Sequence, residues 1–443
     1  METKPGTGVK DAPIVNVAEF LGGEAPPLSA YANSIQGSTI LRIAADIREM
    51  VARGERVLDL TLGDFRPDQF PIPARYQELI IEALRAGETN YPPVPGVQEL
   101  REAVRELTRD DFGLDYPVTG VLVGGGARPL IYSSFMAIVD PGDTVLYPVP
   151  SWNNHHYVGL ARARGVALPV SAEKNFHLDR GDLEPHLRTA RLLALNSPLN
   201  PTGTCISRDA LEGICTAIAE ENERRRSAGE RPFFLVYDQV YNTLTFGDTR
   251  HYTPVGLVPE IAPHAIAVDA VSKGLSGTGL RVGWAVGPTA LVKKMAQMAG
   301  HYGAWAPRPE QVATARFLRE RETLHAHRRH MVAELESRLS RLDEGFSTMR
   351  AAGLPVEHIE PQGAIYLSVR FDLIGRIVAG RRIRTNEDIR GVLLEEAGFA
   401  VVPFEAFGLE GETGWMRLSV GAVSPDEIDE GLAHVRAVLE SAR

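Results

Sequence analysis

The sequence predicts an α/β protein built around a largely parallel sheet, and two patterns carry that prediction. Short β-rich runs alternate with helix-length amphipathic segments through the middle of the chain, as expected when each crossover lays a helix on a sheet face. Polar residues able to do chemistry stand at or just beyond the ends of several of those runs, where an open parallel sheet gathers them into one crevice along its carboxyl edge. No internal repeat or low-complexity segment interrupts the alternation.

Taken in order, residues 1–28, with Pro5, Pro13, Pro26 and Pro27, read as an extended arm. STILRIAADIREMVARGE (38–55) reads as a helix. The predicted strands are VLVGG (121–125), TVLYP (144–148), VALPV (166–170), LLALN (192–196), FFLVY (233–237), AIAVDAV (265–271) and VGWAV (282–286). Segments such as LEGICTAIAEENERRR (211–226) and ALVKKMAQMAG (290–300) supply helices between or after them. The run at 282–286 follows its predecessor too closely for a helical crossover, which marks it as a candidate antiparallel strand. From about Glu310 to Glu344 a long polar–apolar stretch reads as helix again. The helix-rich ends are expected to pair as a second, smaller domain, so that 29–62 joins 310–443 and 63–309 forms the large domain.

Composition narrows the functional classes. With 443 residues, 44% hydrophobic and 23% charged, the chain can build a large core, and no apolar run approaches the roughly 20 residues of a membrane span. The N-terminus lacks the basic-then-apolar design of a secretory signal, and two cysteines, Cys205 and Cys215, are too few for a disulfide framework, so a reducing cytoplasm is expected. A formal net charge of −10 argues against a nucleic-acid surface, and the run Arg224-Arg225-Arg226 reads as a solvated helix end. His155 and His156, like His325, His327 and His330, lack metal-ligand spacing with acidic or cysteine partners, and no metal is assigned.

The chemistry-bearing residues are Gly126 after the first predicted strand, Asn200 after the fourth, Asp238 directly after the fifth and Lys273 after the sixth. Together they suggest a phosphorylated, electron-withdrawing cofactor bound through a lysine. A lysine amine that forms a Schiff base must be reachable and able to lose its proton, which a cleft with nearby cations favours. Lys273 fits that description, whereas Lys293 and Lys294 fall on a predicted helix face.

These residues carry a resemblance. NYPPVPGVQELREAV (90–104), GGGARPLIYSSFMAIVDPGD (124–143), NSPLNPTGT (196–204), YDQVY (237–241), SKGLSGTGLRVGW (272–284) and MRLSVG (416–421) resemble, in order, the motifs of class I/II aminotransferases of the aspartate aminotransferase group. The resemblance covers roughly residues 36–440 and implies the type I pyridoxal-phosphate transferase fold: a large domain with a mostly parallel seven-stranded sheet and a smaller α+β domain from both chain ends. It implies that Lys273 binds pyridoxal phosphate and shuttles the α-proton, and that Asp238 holds the pyridine nitrogen protonated. Asn200 and Tyr241 resemble the pair that hydrogen-bonds the cofactor's phenolic oxygen. Trp152 resembles the aromatic residue stacked on the ring. Gly126, Ala127 and Arg128 open a helix that can take the phosphate, with Arg281 as a bidentate cation. Arg128 stands where the family usually has lysine or a small polar residue, and Pro129 where glutamine is common, so the role of Arg128 is left open. Gly63 and Arg417 resemble the residues that receive the substrate α-carboxylate, with Asn200 beside them. The segment GDFRPDQFPIP is about three residues longer than usual before Tyr91, which puts the entrance of the substrate pocket in question.

Transamination between an L-amino acid and a 2-oxo acid is therefore the expected reaction. The alternative is β- or γ-elimination, replacement or cyclisation at the same site. A cofactor-sensing regulator would need an attached DNA-binding domain, which the arm before residue 36 is too short to hold. Tyr91 resembles a tyrosine that reaches the cofactor phosphate of the opposite subunit, implying a homodimer with shared sites. Aspartate or glutamate is the family's default donor, and spacing alone does not assign the distal acid to Arg308.

Overall fold

The computed structural model describes residues 15–21, 27–35, 37 and 39–443; Pro5, Pro13 and Pro26 of the expected arm lie outside the described residues. The chain divides into two compact units, Met1–Gly37 and Ser38–Arg443. Among its described residues the first holds a 3-10 turn, Val17–Phe20, and a short helix, Ala30–Ser34, capped by Ser29, whose side chain accepts from the Ala32 amide at 3.1 Å.

The second unit is organised by one seven-stranded sheet. Its strands are β1 (Val121–Gly124), β2 (Thr144–Val149), β3 (Arg164–Pro169), β4 (Ala190–Asn196), β5 (Phe234–Asp238), β6 (Ala265–Ala270) and β7 (Gly283–Val286), and they are the seven that periodicity predicted. Their spatial order is β1-β7-β6-β5-β4-β2-β3. All neighbouring pairs are parallel except those of β7, which runs antiparallel to both β1 and β6, as its short connection requires. Every residue of β1, β2 and β7 is buried, the pattern of a sheet covered on both faces, which is why these strands read as continuous apolar runs.

Helices cover the sheet. Arg208–Ala228 starts at Ser207, whose side chain accepts from the Ala210 amide. Near its end the expectation of a solvated arginine run needs correction. Arg224 and Arg226 pair with glutamates at the surface, but Arg225 is buried and donates to the carbonyls of Leu187, Ala190 and Arg231 and to Glu221. A buried guanidinium with five donors satisfies these carbonyls and the Glu221 carboxylate at once. Lys293 and Lys294 are exposed on the helix Thr289–Tyr302, as expected.

A four-stranded antiparallel sheet lies beside this layer, in the order Val402–Pro403, Trp415–Ser419, Tyr366–Phe371, Val356–His358. The two-residue strand Leu58–Asp59 pairs with Phe399–Ala400, so segments from both ends of the unit meet. The long helical stretch resolves into Arg308–Arg319 and a 31-residue helix, Arg321–Ala351, that packs on the helix Pro425–Glu440. The helix Thr39–Ala52 inserts Ile43 and Ile47 into a core that also takes Leu193 and Leu235 from the large sheet and Phe404 and Trp415 from the strand layer. This shared core holds the strand bearing Arg417 against the carboxyl edge of the large sheet.

Candidate active site

Strand register brings the site together. Asn196 pairs with Asp238 across β4 and β5, and Asp238 pairs with Val268 across β5 and β6, so the ends of three neighbouring strands stand level. Because β7 is antiparallel, Arg281 comes before it and yet sits at the same edge. Gly283 pairs with Gly124, the last residue of β1, and Gly126 follows directly. Motifs far apart in sequence thus line a cavity of about 420 Å³ that includes Gly63, Ala127, Arg128, Trp152, Asn200, Asp238, Tyr241, Lys273, Arg281 and Arg417.

Lys273 is half-buried and donates from Nζ to the carbonyl oxygen of Gly63 at 2.5 Å. Its amine is pushed down to about 8, first by burial, which Asp64 opposes, and further by the guanidiniums of Arg417 and Arg128. Asp238 is pushed up to about 6 by burial, against the amide of Val240, which donates to its Oδ1 at 3.2 Å, and the field of Lys273. At neutral pH this carboxyl is still mostly ionised.

Arg417 is almost wholly buried. Its Nη1 donates to Asn200 Oδ1 at 3.1 Å and its Nη2 to the carbonyl of Thr61, and its guanidinium lies over the rings of Tyr366 and Phe407 at 4.8 and 4.9 Å. Asn200 is fixed in turn by its own amide, which donates to Asn196 Oδ1 at 2.9 Å. The Tyr241 and Tyr366 hydroxyls share a hydrogen bond of 2.7 Å. A Cβ on Gly63 would come within 2.7 Å of that same Tyr366 hydroxyl, so only glycine leaves the backbone open there.

Gly126 adopts a φ of 91° and stands immediately before the helix Ala127–Ile138. The Arg281 guanidinium packs directly on it, where a Cβ would collide, and is held by the carbonyls of Gly125 at 2.9 Å and Thr278 at 2.7 Å. A helix N-terminus with a cation at its side is suited to an anion. The Arg128 guanidinium sits 4.9 Å from the centre of the Trp152 ring.

Tyr91 and Arg308 both lie outside this cavity. Tyr91 is 80% exposed, packs edge-on to Trp305 and is not among the cavity's lining residues. Arg308 is held by Glu88 at 2.6 Å, also outside the cavity. The structure adds residues that the sequence reading did not single out. Tyr366 comes from the strand of the second sheet, and its run GAIYLSVRF could have been read as a strand carrying one hydroxyl. Asp64, next to Gly63, accepts from Thr278 Oγ1 at 2.6 Å and ties the two loops that flank Lys273. Asn196 and Tyr157 also line the cavity, with Ile131, Val240, Ser272 and Thr278.

This lining fits pyridoxal phosphate. Gly126 leaves an open cradle beside Arg281 for a phosphate, Asp238 offers a carboxylate for a protonated ring nitrogen, and Lys273 an amine of lowered basicity. A buried polar atom on a lining residue, Nε of Arg417, has no partner among the described residues, as befits a site that a polar ligand completes.

Comparison with known proteins agrees. The family described as aminotransferase class I and II matches residues 55–435. A probable aspartate/prephenate aminotransferase of Rhizobium leguminosarum is 30% identical over 413 residues, covering 91% of this chain and 96% of the relative. An aspartate aminotransferase of Streptomyces avermitilis is 31% identical, covering 94% and 97%. Among solved structures, the aspartate aminotransferase of Rhizobium meliloti superposes with a TM-score of 0.83 at 28% identity, covering 94% of this chain and all of that one. With its motifs gathered at one sheet edge and its relatives aligned nearly end to end, this chain belongs to the class I and II aminotransferases, pyridoxal-phosphate-dependent enzymes that carry amino groups between amino acids and 2-oxo acids.

Proposed function

We propose that Lys273 is the lysine that binds the cofactor and carries the α-proton, and that the amino donor is a short acidic L-amino acid, aspartate or glutamate. One observation supports this reading above the rest: an amine pushed down to about 8 shares one cavity with a buried carboxylate and three guanidiniums. When bound, pyridoxal phosphate supplies a carbonyl carbon for the amino group and a ring that draws negative charge away from the substrate α-carbon. Lys273 Nζ, of which roughly a tenth is neutral at pH 7 at a pKa of about 8, takes the proton from that α-carbon and delivers it to the carbon that was the cofactor's carbonyl, and moves it the opposite way in the other half of the cycle. Asp238 keeps a proton on the ring nitrogen. Gly126, Ala127 and Arg281 hold the phosphate, Asn200 and Tyr241 hydrogen-bond the phenolic oxygen, and Trp152 lies on the ring. Arg417, beside Asn200 and the open backbone of Gly63, holds the α-carboxylate. In this reading residues 63–309 supply the cofactor's bed and 310–443 the grip on substrate.

Arg128 has no carboxylate partner among the described residues, which supports a donor with a second acid group; the names of the relatives point the same way. The test is a half-reaction. Aspartate added without an acceptor should give one 2-oxo acid per site and leave the amino group on the cofactor, whereas free ammonium would mean elimination. In Arg417→Lys and Arg417→Ala the second-order rate constant should fall about tenfold to a few hundredfold for every amino acid accepted, the worth of a charge-assisted bidentate pair. Decarboxylated amines should be spared. Equal losses for both substrate types would assign Arg417 to holding the strand layer in place.

The same reading makes the enzyme a cytoplasmic homodimer with shared sites. Its support is the exposed Tyr91, outside its own chain's cavity, and two buried cysteines without a disulfide. Mixed Lys273→Ala and Tyr91→Ala chains should regain activity through one intact site per heterodimer. No recovery after verified exchange would count against sharing.

A further inference from the structure

Asp238 and Lys273 stand at the ends of adjacent strands and must face the cofactor at a fixed separation. The sheet alone does not set that separation. Ladder pairing between β5 and β6 ends at Asp238 and Val268, followed by one more backbone bond, from the Gln239 amide to the Val268 carbonyl at 2.9 Å. Beyond it, segments 239–244 and 269–275 run free of each other's backbone. Among the described residues a single side-chain hydrogen bond joins them: Asn242 Nδ2 donates to Asp269 Oδ2 at 2.8 Å.

Both partners are anchored to the segment they control. Asn242 closes the turn after Asp238, since its amide and its Nδ2 both donate to the Gln239 carbonyl, at 2.9 and 2.8 Å. Tyr241 rides on that turn. Asp269, four residues before Lys273, accepts the amide of Ala270 on Oδ1 at 2.7 Å. The segments also touch closely just beyond the pair: a Cβ on Gly274 would come within 2.8 Å of Thr243 Oγ1, so they are drawn together with no slack. Neither Asn242 nor Asp269 lines the cavity.

We infer that Asn242 and Asp269 are a positioning pair that fixes the separation and alignment of Asp238 and Lys273 across the cofactor site. The inference rests on the roles proposed for those two residues. It is geometric: what counts is the hydrogen bond, not the charge of Asp269.

The test uses the full-length holoenzyme. Asn242→Leu and Asp269→Leu, similar in size but unable to bond, should lower kcat about tenfold to a hundredfold, the scale for a misplacement of about 1 Å, with KM for the amino donor unchanged within about threefold because Arg417 is untouched. The pH midpoint of the bound cofactor's visible absorbance should move in both. Asp269→Asn keeps an acceptor for Asn242 and leaves the Asn242 bond to the Gln239 carbonyl intact, so it should stay within about threefold of the parent kcat with the midpoint in place. Leucine variants with parental kcat, or an Asp269→Asn variant as impaired as the leucine ones, would overturn the pairing. Where a leucine chain does not fold, Asp269→Asn decides, since loss of kcat there refutes a geometric role. Wrong roles for the site residues would show separately, as turnover surviving in Lys273→Ala.

Discussion

Lys273→Ala is expected to lower kcat for transamination by at least about a thousandfold, because it removes both the cofactor's covalent partner and the proton carrier, and general acid–base catalysis alone contributes about 10²–10⁴. Neither Asp238 nor Tyr241 can stand in. Asp238 is committed to the ring nitrogen, and burial holds the Tyr241 hydroxyl protonated far above its ordinary range. Borohydride reduction of the parent enzyme should fix the cofactor to a peptide containing Lys273; label on Lys293 or Lys294 would refute the assignment. The lowered basicity can be read in the apoprotein, where only the neutral amine is nucleophilic. Acylation of Lys273 should rise with pH to a midpoint near 8 instead of the ordinary 10.5. A midpoint near the ordinary value would mean that burial and the guanidiniums of Arg417 and Arg128 do not act on it.

Asp238→Asn should come next in size. The amide can still accept from the Val240 amide, so the turn keeps its shape and the cofactor is retained, but it cannot hold a proton on the ring nitrogen. Exchange of the substrate α-proton should fall about 10²- to 10³-fold, the usual cost of removing one preorganised electrostatic partner. Near-parental exchange would give Asp238 another task. The same substitution carries a stability signature of opposite sign. In the folded apoprotein the carboxyl titrates near 6 against an ordinary 3.8, so between those values the folded state binds more protons than the unfolded, and stability falls as pH rises. Above about pH 6 the carboxylate costs its full desolvation, and below about pH 4 it costs none. The apoprotein of Asp238→Asn should therefore melt at a higher temperature than the parent at pH 7 and lose that advantage at pH 4. An advantage that persists unchanged at pH 4 would trace the effect to packing.

How much of this was legible in the sequence follows from the range of each interaction. All seven strands of the large sheet could be read: residues buried on both faces leave uninterrupted apolar runs in the inner strands, while the mostly exposed edge strand β3 was read from the β-rich run VALPV. Lys273, Asp238 and Asn200 were legible for a related reason: their place beyond a strand end is local, and the topology of a parallel sheet does the rest. Tyr366 was not, since its importance lies in a hydroxyl bonded to Tyr241, 125 positions away. The Asn242–Asp269 bond was hidden likewise, each residue looking like an ordinary turn or strand-end residue until the register of β5 and β6 is known. Arg225 was misread because a charge run has no local sign of which member meets carbonyls inside the fold.

The place of β7 has a consequence for synthesis from the ribosome. In the sheet β1 bonds to β7 alone, yet β1 is made at residues 121–124 and β7 at 283–286, so about 160 residues must emerge before β1 has its neighbour. By then β2 to β6 are already available to pair with one another. A nascent chain stopped after β6 would carry Asn200 and Asp238 beside paired strands, but Gly126 would have neither Arg281 at its side nor a fixed edge to stand on. The phosphate end of the site is thus completed only once Arg281 and β7 have emerged, ahead of the carboxylate grip of Arg417, and ribosome-bound chains ending before Arg281 should not retain pyridoxal phosphate, while chains long enough to expose β7 and the helices behind it should.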